Sequence, residues 1–296
     1  MPRRSADRLE GSCAAAPGDW LRVAPDTGPI ERIEAFFAGH AFDPHRHDTY
    51  ALGITLSGVQ RFDYRGQEAN SLVGDLIVIH PDEVHNGRAG AEAGFRYRMA
   101  YLEPRLVREA LGDRAGALPF VRRAVLDDGR LRAALAALLR DLDCPLEPLE
   151  ADHLTAAVAD ALVGLDRSAA RHRREPLASR AVERARAYLD AHHGRVVRSD
   201  ELETVTGLSR FEVARQFRRA LGTSPYRYLL MRRLGAARAF LRAGATLADA
   251  AAASGFADQS HLTRQFRAAY GLPPGRWRAM QRGGGRPAPP GHAPGA

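Results

Sequence analysis

Apolar and polar residues alternate with a period of two from residue 20 to about residue 102. In FRYRMAYL (95–102), four large side chains fall on one face and two arginines lie on the other, which is typical of a half-buried strand. Other apolar runs, ALGITL (51–56) and DLIVIH (75–80), are separated by SG, RG and VG pairs that indicate turns. We therefore predict a small antiparallel β-sandwich or β-barrel.

After Glu103 the apolar period becomes that of a helix. Two helices are predicted in turn, with apolar faces formed by Leu131, Leu135, Leu138, Leu139 and Leu142, and by Leu154, Val158, Ala161, Leu162 and Leu165. These two faces could cover the barrel or form a dimer interface, and the pattern leaves both interpretations open.

The second half of the chain contains a repeat: ARQFRRALG (214–222) returns as TRQFRAAYG (263–271), 49 residues later. Around the first copy, Ser199 is a predicted helix N-cap, Gly207 a predicted C-cap and Ser209 the start of a second helix. A helix, a short turn containing glycine and another helix form a helix-turn-helix.

The second copy repeats this plan, with Thr246 as N-cap and Asp249 as its capping-box partner. Its core positions are Ala250, Phe256, Leu262 and Phe266. Between the units, PYRYLLMRRLGAARAFLRAG predicts one long helix that sets their separation. A plain helical bundle would explain the repeated phenylalanines, but not the turn chemistry and the charge together.

Charge is distributed unevenly along the chain. Residues 1–170 carry 20 arginines against 26 acidic residues, whereas residues 171–296 carry 23 arginines against 9, and there is no lysine. A net charge of +14 on the second half favours a polyanionic partner over a merely solvated surface.

Other features of the composition exclude several classes of protein. The 45% apolar content is ordinary for a globular protein, and no apolar stretch is long enough to span a membrane or serve as a signal peptide. We therefore expect a cytoplasmic protein with no membrane partner. Cys13 and Cys144 lie far apart, which predicts free thiols and neither a disulfide nor a zinc site.

Two helix-turn-helix units on one frame could place a helix in successive major-groove faces of DNA, about 34 Å apart. Arginine is suited to guanine, glutamine to adenine and an aromatic ring to the thymine methyl group. The predicted base-reading residues are Arg210, Phe211, Ala214, Arg215, Gln259, Ser260, Thr263 and Arg264; the predicted phosphate contacts are Arg218, Arg219, Arg267 and Arg276.

GLSRFEVARQFRRALGTSPYRYL and GFADQSHLTRQFRAAYGLPPGRWR resemble, in order and spacing, the tandem DNA-binding motifs of AraC/XylS-type transcriptional regulators. The resemblance covers about residues 178–280. It implies seven helices, two of which read DNA, and it implies promoter DNA and RNA polymerase as partners. Ala214 departs from the pattern, since a longer polar side chain often reaches a base from that position.

DPHRHDTYALGITLSGVQRFDYRG and GDLIVIHPDEVHNG are similar to the cupin-like sensory domain that precedes this DNA-binding half. That similarity implies a β-barrel pocket for a small-molecule effector, and we expect a homodimer. The predicted pocket residues are His45, His47, Tyr50, Phe62, Tyr64, His80, Glu83 and His85.

His45, His47 and His85 also have the spacing with which metal-dependent cupins bind iron, manganese or zinc. Those sites commonly add a glutamate four or five residues after the second histidine, where this chain has Ala51 and Leu52. We therefore expect no metal or other cofactor, and assign the histidines to hydrogen bonds or to effector contacts.

The predicted fold class is thus α+β and multidomain: a cupin-like β-barrel with a helical appendage, followed by an all-α tandem helix-turn-helix domain. The predicted boundaries are a disordered arm (1–17), an effector-binding and dimerisation region (18–170), a charged linker (171–178), the DNA-binding domain (179–281) and a disordered tail (282–296). The predicted function is an effector-controlled transcriptional regulator and not an enzyme. Two alternatives stay open: a metal-dependent cupin enzyme with a DNA-binding tail, and a protein that coats DNA by charge.

Overall fold

The computed structural model describes residues 18–25, 30–112, 118–166 and 178–282. Three predicted segments lie outside the described residues: the arm, the linker except for its last residue, and the tail except for its first residue.

The N-terminal half contains two antiparallel sheets that enclose a barrel-like core. Its strands are β1 (Trp20–Val23), β2 (Ile30–Phe37), β3 (His40–His45), β4 (Tyr50–Gly58), β5 (Gln60–Tyr64), β6 (Gln67–Ser71), β7 (Leu76–Ile79), β8 (His85–Ala89), β9 (Phe95–Leu102) and β10 (Val125–Leu126). One sheet has the order β1-β2-β9-β4-β7-β10 and the other the order β3-β8-β5-β6. The predicted β-domain is confirmed.

Three helices cover the outer face of the six-stranded sheet: α1 (Pro104–Leu111), α2 (Gly129–Leu138) and α3 (Pro148–Leu165). Apart from Leu142, both predicted leucine faces pack in one cluster with the sheet residues Leu52, Val78 and Leu102. Covering the barrel therefore explains most of these leucines. Leu149 and Val163 of α3 are exposed, at 81% and 37%.

Helix α2 ends at Leu138, earlier than the predicted Leu142. The buried Arg32 of β2 donates hydrogen bonds from Nη1 to the carbonyl of Asp141 (2.7 Å) and from Nη2 to that of Cys144 (2.7 Å). Because this guanidinium binds carbonyl groups that a longer helix would direct along its own axis, the chain turns here instead. Leu142 is nevertheless buried.

Within residues 178–282, the described part of the C-terminal half, there are seven helices, as the resemblance implies. They are α4 (Ser179–Ala191), α5 (Ser199–Thr206), α6 (Arg210–Leu221), α7 (Pro225–Arg242), α8 (Leu247–Ala253), α9 (Gln259–Tyr270) and α10 (Pro274–Arg282). The single long helix predicted between the two units is α7.

The predicted caps are confirmed with one exception. Ser209 accepts a hydrogen bond from the backbone of Glu212, and Thr246 accepts one from Asp249 (3.1 Å). The prediction for α5 was wrong by one residue: Ser199 is already helical, and Arg198 is the N-cap. The Arg198 N–H donates to a carboxylate three residues ahead (2.7 Å), so the acidic first turn stabilises the helix without a serine cap.

The repeated segments form equivalent structures. α6 and α9 are each twelve residues long and end in a left-handed glycine, Gly222 at φ 72° and Gly271 at φ 68°. Phe217 and Phe266, at the same position of the two helices, are fully buried. The duplication in sequence is therefore a duplication in structure.

Candidate functional site

The exposed face of each repeated helix carries the residues predicted to read bases. On α6, Arg210, Ala214 and Arg215 are exposed and Phe211 is 73% exposed. A phenylalanine so exposed is unusual in a helix that does not contact a partner. On α9, Gln259, Ser260 and Arg264 are exposed and Thr263 is half-buried.

Two of the four predicted phosphate contacts are bound to carboxylates of the N-terminal half. Arg267 Nε lies 2.6 Å from Asp43 Oδ2, and Arg276 Nη2 lies 2.7 Å from the buried Asp19 Oδ2. The other two, Arg218 and Arg219, lie near the end of α6. In this arrangement the N-terminal half therefore binds two of the four guanidinium groups that were predicted to contact DNA phosphates.

The C-terminal ends of both repeated helices are held by the N-terminal half. Arg108 of α1 donates from Nη2 and Nε to the carbonyls of Arg219 (2.6 Å) and Ala220 (2.9 Å) at the end of α6. At the end of α9, the carbonyl of Gly271 accepts from Asp43 N (3.0 Å), and that of Ala268 accepts from Arg46 N (3.2 Å). Helix ends present free carbonyls, and here they accept hydrogen bonds from the N-terminal half (residues 18–166), hereafter called the sensor half.

Partly buried ion pairs join the long helix α7 to the sensor half. Arg238 donates two hydrogen bonds to Glu31, at 2.6 and 2.8 Å. Burial alone would raise the pKa of Glu31, but the guanidinium of Arg238 outweighs it and holds the pKa below its usual value. Arg232 reaches Glu103 (2.9 Å) and Asp48 (3.2 Å). Arg232, Glu103 and Asp48, like Glu31 and Arg238, thus have ion-pair partners in the opposite half while the two halves are in contact.

A cavity of about 550 Å³ lies between the sheet and the helical half. Its wall includes Ile33, Met99, Tyr101, Glu31, His45, His47 and His85 from the sensor half, and Met231, Arg238, Tyr270 and Trp277 from the helical half. The largest part of this wall is apolar, with charged and imidazole groups at particular points, as in sites for small organic molecules.

The structure brings three of the predicted pocket residues together on this wall. His45 and His85 are directly paired across β3 and β8, and His47 lies two residues beyond His45. Burial lowers the pKa of His85 to about 4. Burial, and then repulsion from the neighbouring imidazoles, lowers the pKa of His45 and of His47 well below the usual value. All three imidazoles are therefore neutral at neutral pH.

Tyr50, Phe62, Tyr64, His80 and Glu83, also expected in the pocket, do not line this cavity. Tyr64 Oη and His80 Nδ1 lie 3.0 Å apart, and His80 Nε2 accepts from Val121 N (3.0 Å). Tyr50 Oη donates to the carbonyl of Pro119 (2.9 Å). Since the polar side-chain atoms of Tyr50, Tyr64 and His80 bind other parts of the protein, these three residues have partners that support the fold.

Comparison with known proteins agrees with this architecture. The family described as AraC-like ligand binding domain matches residues 27–162, and a helix-turn-helix domain family matches residues 202–280. The uncharacterised HTH-type transcriptional regulator YbfI of Bacillus subtilis is 27% identical over 239 residues, which cover 79% of this chain and 87% of that protein. The chain belongs to the AraC family of transcriptional regulators.

Solved structures of ToxT from Vibrio cholerae share the whole two-domain fold with this AraC-family regulator. One has a TM-score of 0.58 at 12% identity, covering 88% of this chain and 98% of ToxT. Another, of ToxT with a bound unsaturated fatty acid, also has a TM-score of 0.58 and covers 89% and 96% of the two chains. At this identity the likeness is one of fold.

Sequence reasoning missed the contribution of α7 to the cavity of this AraC-family regulator. Arg227, Met231, Leu234 and Arg238 follow the spacing i, i+4, i+7, i+11, and all four are buried. Arginine at two positions of an otherwise apolar face was the available signal, because a buried guanidinium needs an acidic partner. No helix in the described part of the chain is both long and apolar enough to cross a membrane.

Proposed function

We propose that this AraC-type regulator binds promoter DNA in a sequence-specific manner, and that a small molecule in the interdomain cavity controls that binding. The observation that carries the proposal is the composition of the cavity wall, to which both halves contribute. A ligand there would contact the DNA-binding half directly, so its binding energy would depend on how the two halves are arranged.

Two helices would read the DNA: α6 through Arg210, Phe211, Ala214 and Arg215, and α9 through Gln259, Ser260, Thr263 and Arg264. Support comes from their exposure and from the equivalent positions of the two helices. Arg218, Arg219, Arg267 and Arg276 would bind phosphates, which supplies affinity but little sequence information.

The mechanism that we infer is competition between docking and DNA binding. In the docked arrangement the sensor half holds the C-terminal ends of α6 and α9, and Asp43 and Asp19 occupy Arg267 and Arg276. Releasing these contacts would return two guanidinium groups to the DNA-binding surface. An effector that favours one arrangement over the other would therefore raise or lower DNA affinity.

The effector that we infer is a small molecule with a substantial apolar part. Ile33, Met99, Met231 and Trp277 supply apolar wall, while Arg238 supplies a cation. ToxT, which has the same fold, has been seen with an unsaturated fatty acid. A molecule with an apolar chain and an anionic group would suit both parts of this wall, although its anion would compete with Glu31 for Arg238.

We further propose a cytoplasmic homodimer that acts with RNA polymerase and catalyses no reaction. Support for a dimer is the exposed apolar surface of α3, which includes Leu149 and Val163. Sedimentation of the purified protein, with Leu149→Glu for comparison, tests this assembly: a dimer that becomes monomeric in the variant supports it, and a wild-type monomer would contradict it.

Selection of bound sequences from a random DNA pool, at about physiological salt, tests the proposed reading of DNA. We expect an enriched motif with two parts one helical turn apart. Arg215→Ala and Arg264→Ala should each weaken one part, at a cost of roughly 1–3 kcal/mol. Arg130→Ala, which removes one exposed positive charge from the sensor half, is the matched control and should leave the motif unchanged.

Binding without an enriched motif, fading only as salt rises, would contradict specific reading and favour a protein that coats DNA by charge. Catalytic turnover by the sensor half would favour the alternative of a cupin enzyme with a DNA-binding tail.

A further inference from the structure

Three imidazole rings meet on the cavity wall. One ring nitrogen from each of His45, His47 and His85 lies within 4.8 Å of the other two, and all three residues are buried. The ring centroids of His45 and His85 are 4.2 Å apart, and those of His47 and His85 are 4.9 Å apart. Such a group of neutral imidazoles at the end of a β-strand pair needs a chemical reason.

The orientation of each ring is fixed by the backbone. Nδ1 of His45 lies 2.8 Å from the carbonyl of Asp43, Nδ1 of His47 lies 3.0 Å from that of Thr49, and Nδ1 of His85 lies 3.0 Å from that of Glu83. Since a carbonyl can only accept, Nδ1 of His45 and of His85 carries the proton and donates it. Nδ1 of His47 also lies 3.2 Å from the Thr49 hydroxyl, but the Thr49 carbonyl is nearer, at 3.0 Å, so we assign the proton to Nδ1 there too. Every Nε2 is therefore an unprotonated acceptor.

This arrangement is the one that metal-binding histidines use, in which a second-shell oxygen fixes the tautomer and leaves the opposite nitrogen for the metal. It is less suitable for an anionic ligand, because three acceptor nitrogens offer an anion no proton. His47 Nε2 is also buried without a hydrogen-bond partner among the described residues. A buried acceptor left unsatisfied is costly, and a cation would satisfy it.

The geometry points to a site for one divalent transition-metal ion, such as Zn²⁺, bound by Nε2 of His45, His47 and His85, whose occupancy stabilises docking of α9. Imidazole suits zinc, iron, copper and nickel. Nitrogens around zinc at about 2.0–2.1 Å lie about 3.3 Å apart, and the ring nitrogens here lie within 4.8 Å of one another, so binding requires the rings to approach by up to about 1.5 Å. The glutamate absent from the sequence pattern is not required, because three histidines with water as the fourth ligand form a known zinc geometry.

The coupling to α9 follows from where two of the ligands lie. His45 and His47 flank Arg46, whose N–H donates to the carbonyl of Ala268 in α9, and the N–H of Asp43 donates to Gly271. Gly271 lies so close to His45 that a Cβ there would be 2.8 Å from Nδ1. An ion that holds both histidines thus holds the loop on which the end of α9 rests. The inference that the bound ion stabilises docking of α9 rests on the proposed function.

Metal binding is measured first, on the purified full-length protein, by metal analysis and by competition titration with Zn²⁺ alone. We expect one Zn²⁺ per chain. His85→Asn keeps an N–H for the Glu83 carbonyl but removes Nε2, and should weaken binding at least about 100-fold, since loss of a second-shell group alone costs about 10- to 100-fold. His47→Asn should do the same, with folding of both variants checked by circular dichroism. The control is His153→Ala, on an exposed face of α3, which should bind as wild type.

Absence of stoichiometric Zn²⁺ in the wild type, or wild-type affinity in His85→Asn, would overturn the site. DNA binding is not part of this measurement, so failure of the proposed function leaves its result intact. The coupling is measured next, as the effect of Zn²⁺ on affinity for a selected DNA sequence. We expect Zn²⁺ to lower that affinity about 5- to 150-fold, a common range for coupled sites, in the wild type but not in His85→Asn. Equal affinity with and without Zn²⁺ in the wild type would overturn the coupling.

Discussion

The buried ion pair between Glu31 and Arg238 gives a sharp prediction about what holds the two halves together. Arg238 is 8% exposed, and its guanidinium lies over the rings of Tyr270 (5.0 Å) and Trp277 (5.2 Å). Glu31→Gln keeps the shape of the side chain but leaves this guanidinium buried without its counter-charge. Removing one partner of a buried pair costs about 3–5 kcal/mol. We expect about 3, because the Glu31 side chain is 31% exposed on the cavity wall.

The assay is urea unfolding followed by tryptophan fluorescence, since Trp277 is on the cavity wall. Glu31→Gln, Arg238→Met and the double variant form a cycle that should give a coupling energy of about 2 kcal/mol. For comparison, Asp127→Asn breaks the exposed pair with Arg132 and should cost less than about 1 kcal/mol. A coupling energy below about 0.5 kcal/mol would refute the argument that this pair stabilises docking.

Two further predictions concern the same contact. Gly271→Ala should lower the melting temperature more than Gly207→Ala. Both glycines have left-handed φ angles, but a Cβ at Gly271 would also meet His45 at 2.8 Å, whereas one at Gly207 would meet nothing within 4 Å. Equal losses of melting temperature in the two variants would contradict this prediction. Contact with arginine lowers the pKa of both Glu31 and Asp43 against the effect of burial, so their contribution to docking should be complete above about pH 4.5 and should be lost as pH falls through the lowered values. The free energy of unfolding should therefore depend less steeply on pH in Glu31→Gln than in wild type. Identical slopes in the two proteins would contradict this prediction.

Much of the fold could be predicted because local signals agreed with one another. Alternation of apolar residues gave the β-domain, and the caps Ser209 and Thr246 gave the starts of α6 and α8. The end of α2 could not be predicted, because it depends on Arg32, more than a hundred residues away.

The candidate site was harder to predict, since the cavity forms only where two distant parts of the chain meet. The histidine spacing did identify His45, His47 and His85 as neighbours. It could not show which nitrogen carries the proton, which depends on backbone carbonyls. His80 was predicted to line the same pocket, but its ring nitrogens bind Tyr64 and Val121 instead.

The central claim is that docking of the sensor half withholds part of the DNA-binding surface. The most direct test is the affinity of wild type and Glu31→Gln for a selected DNA sequence, measured across a range of salt concentrations. If release of the sensor half makes Arg267 and Arg276 available to DNA phosphates, Glu31→Gln should bind DNA more tightly than wild type. The slope of its plot of log K against log salt should also be steeper by about two. Equal affinities and equal slopes would contradict the account.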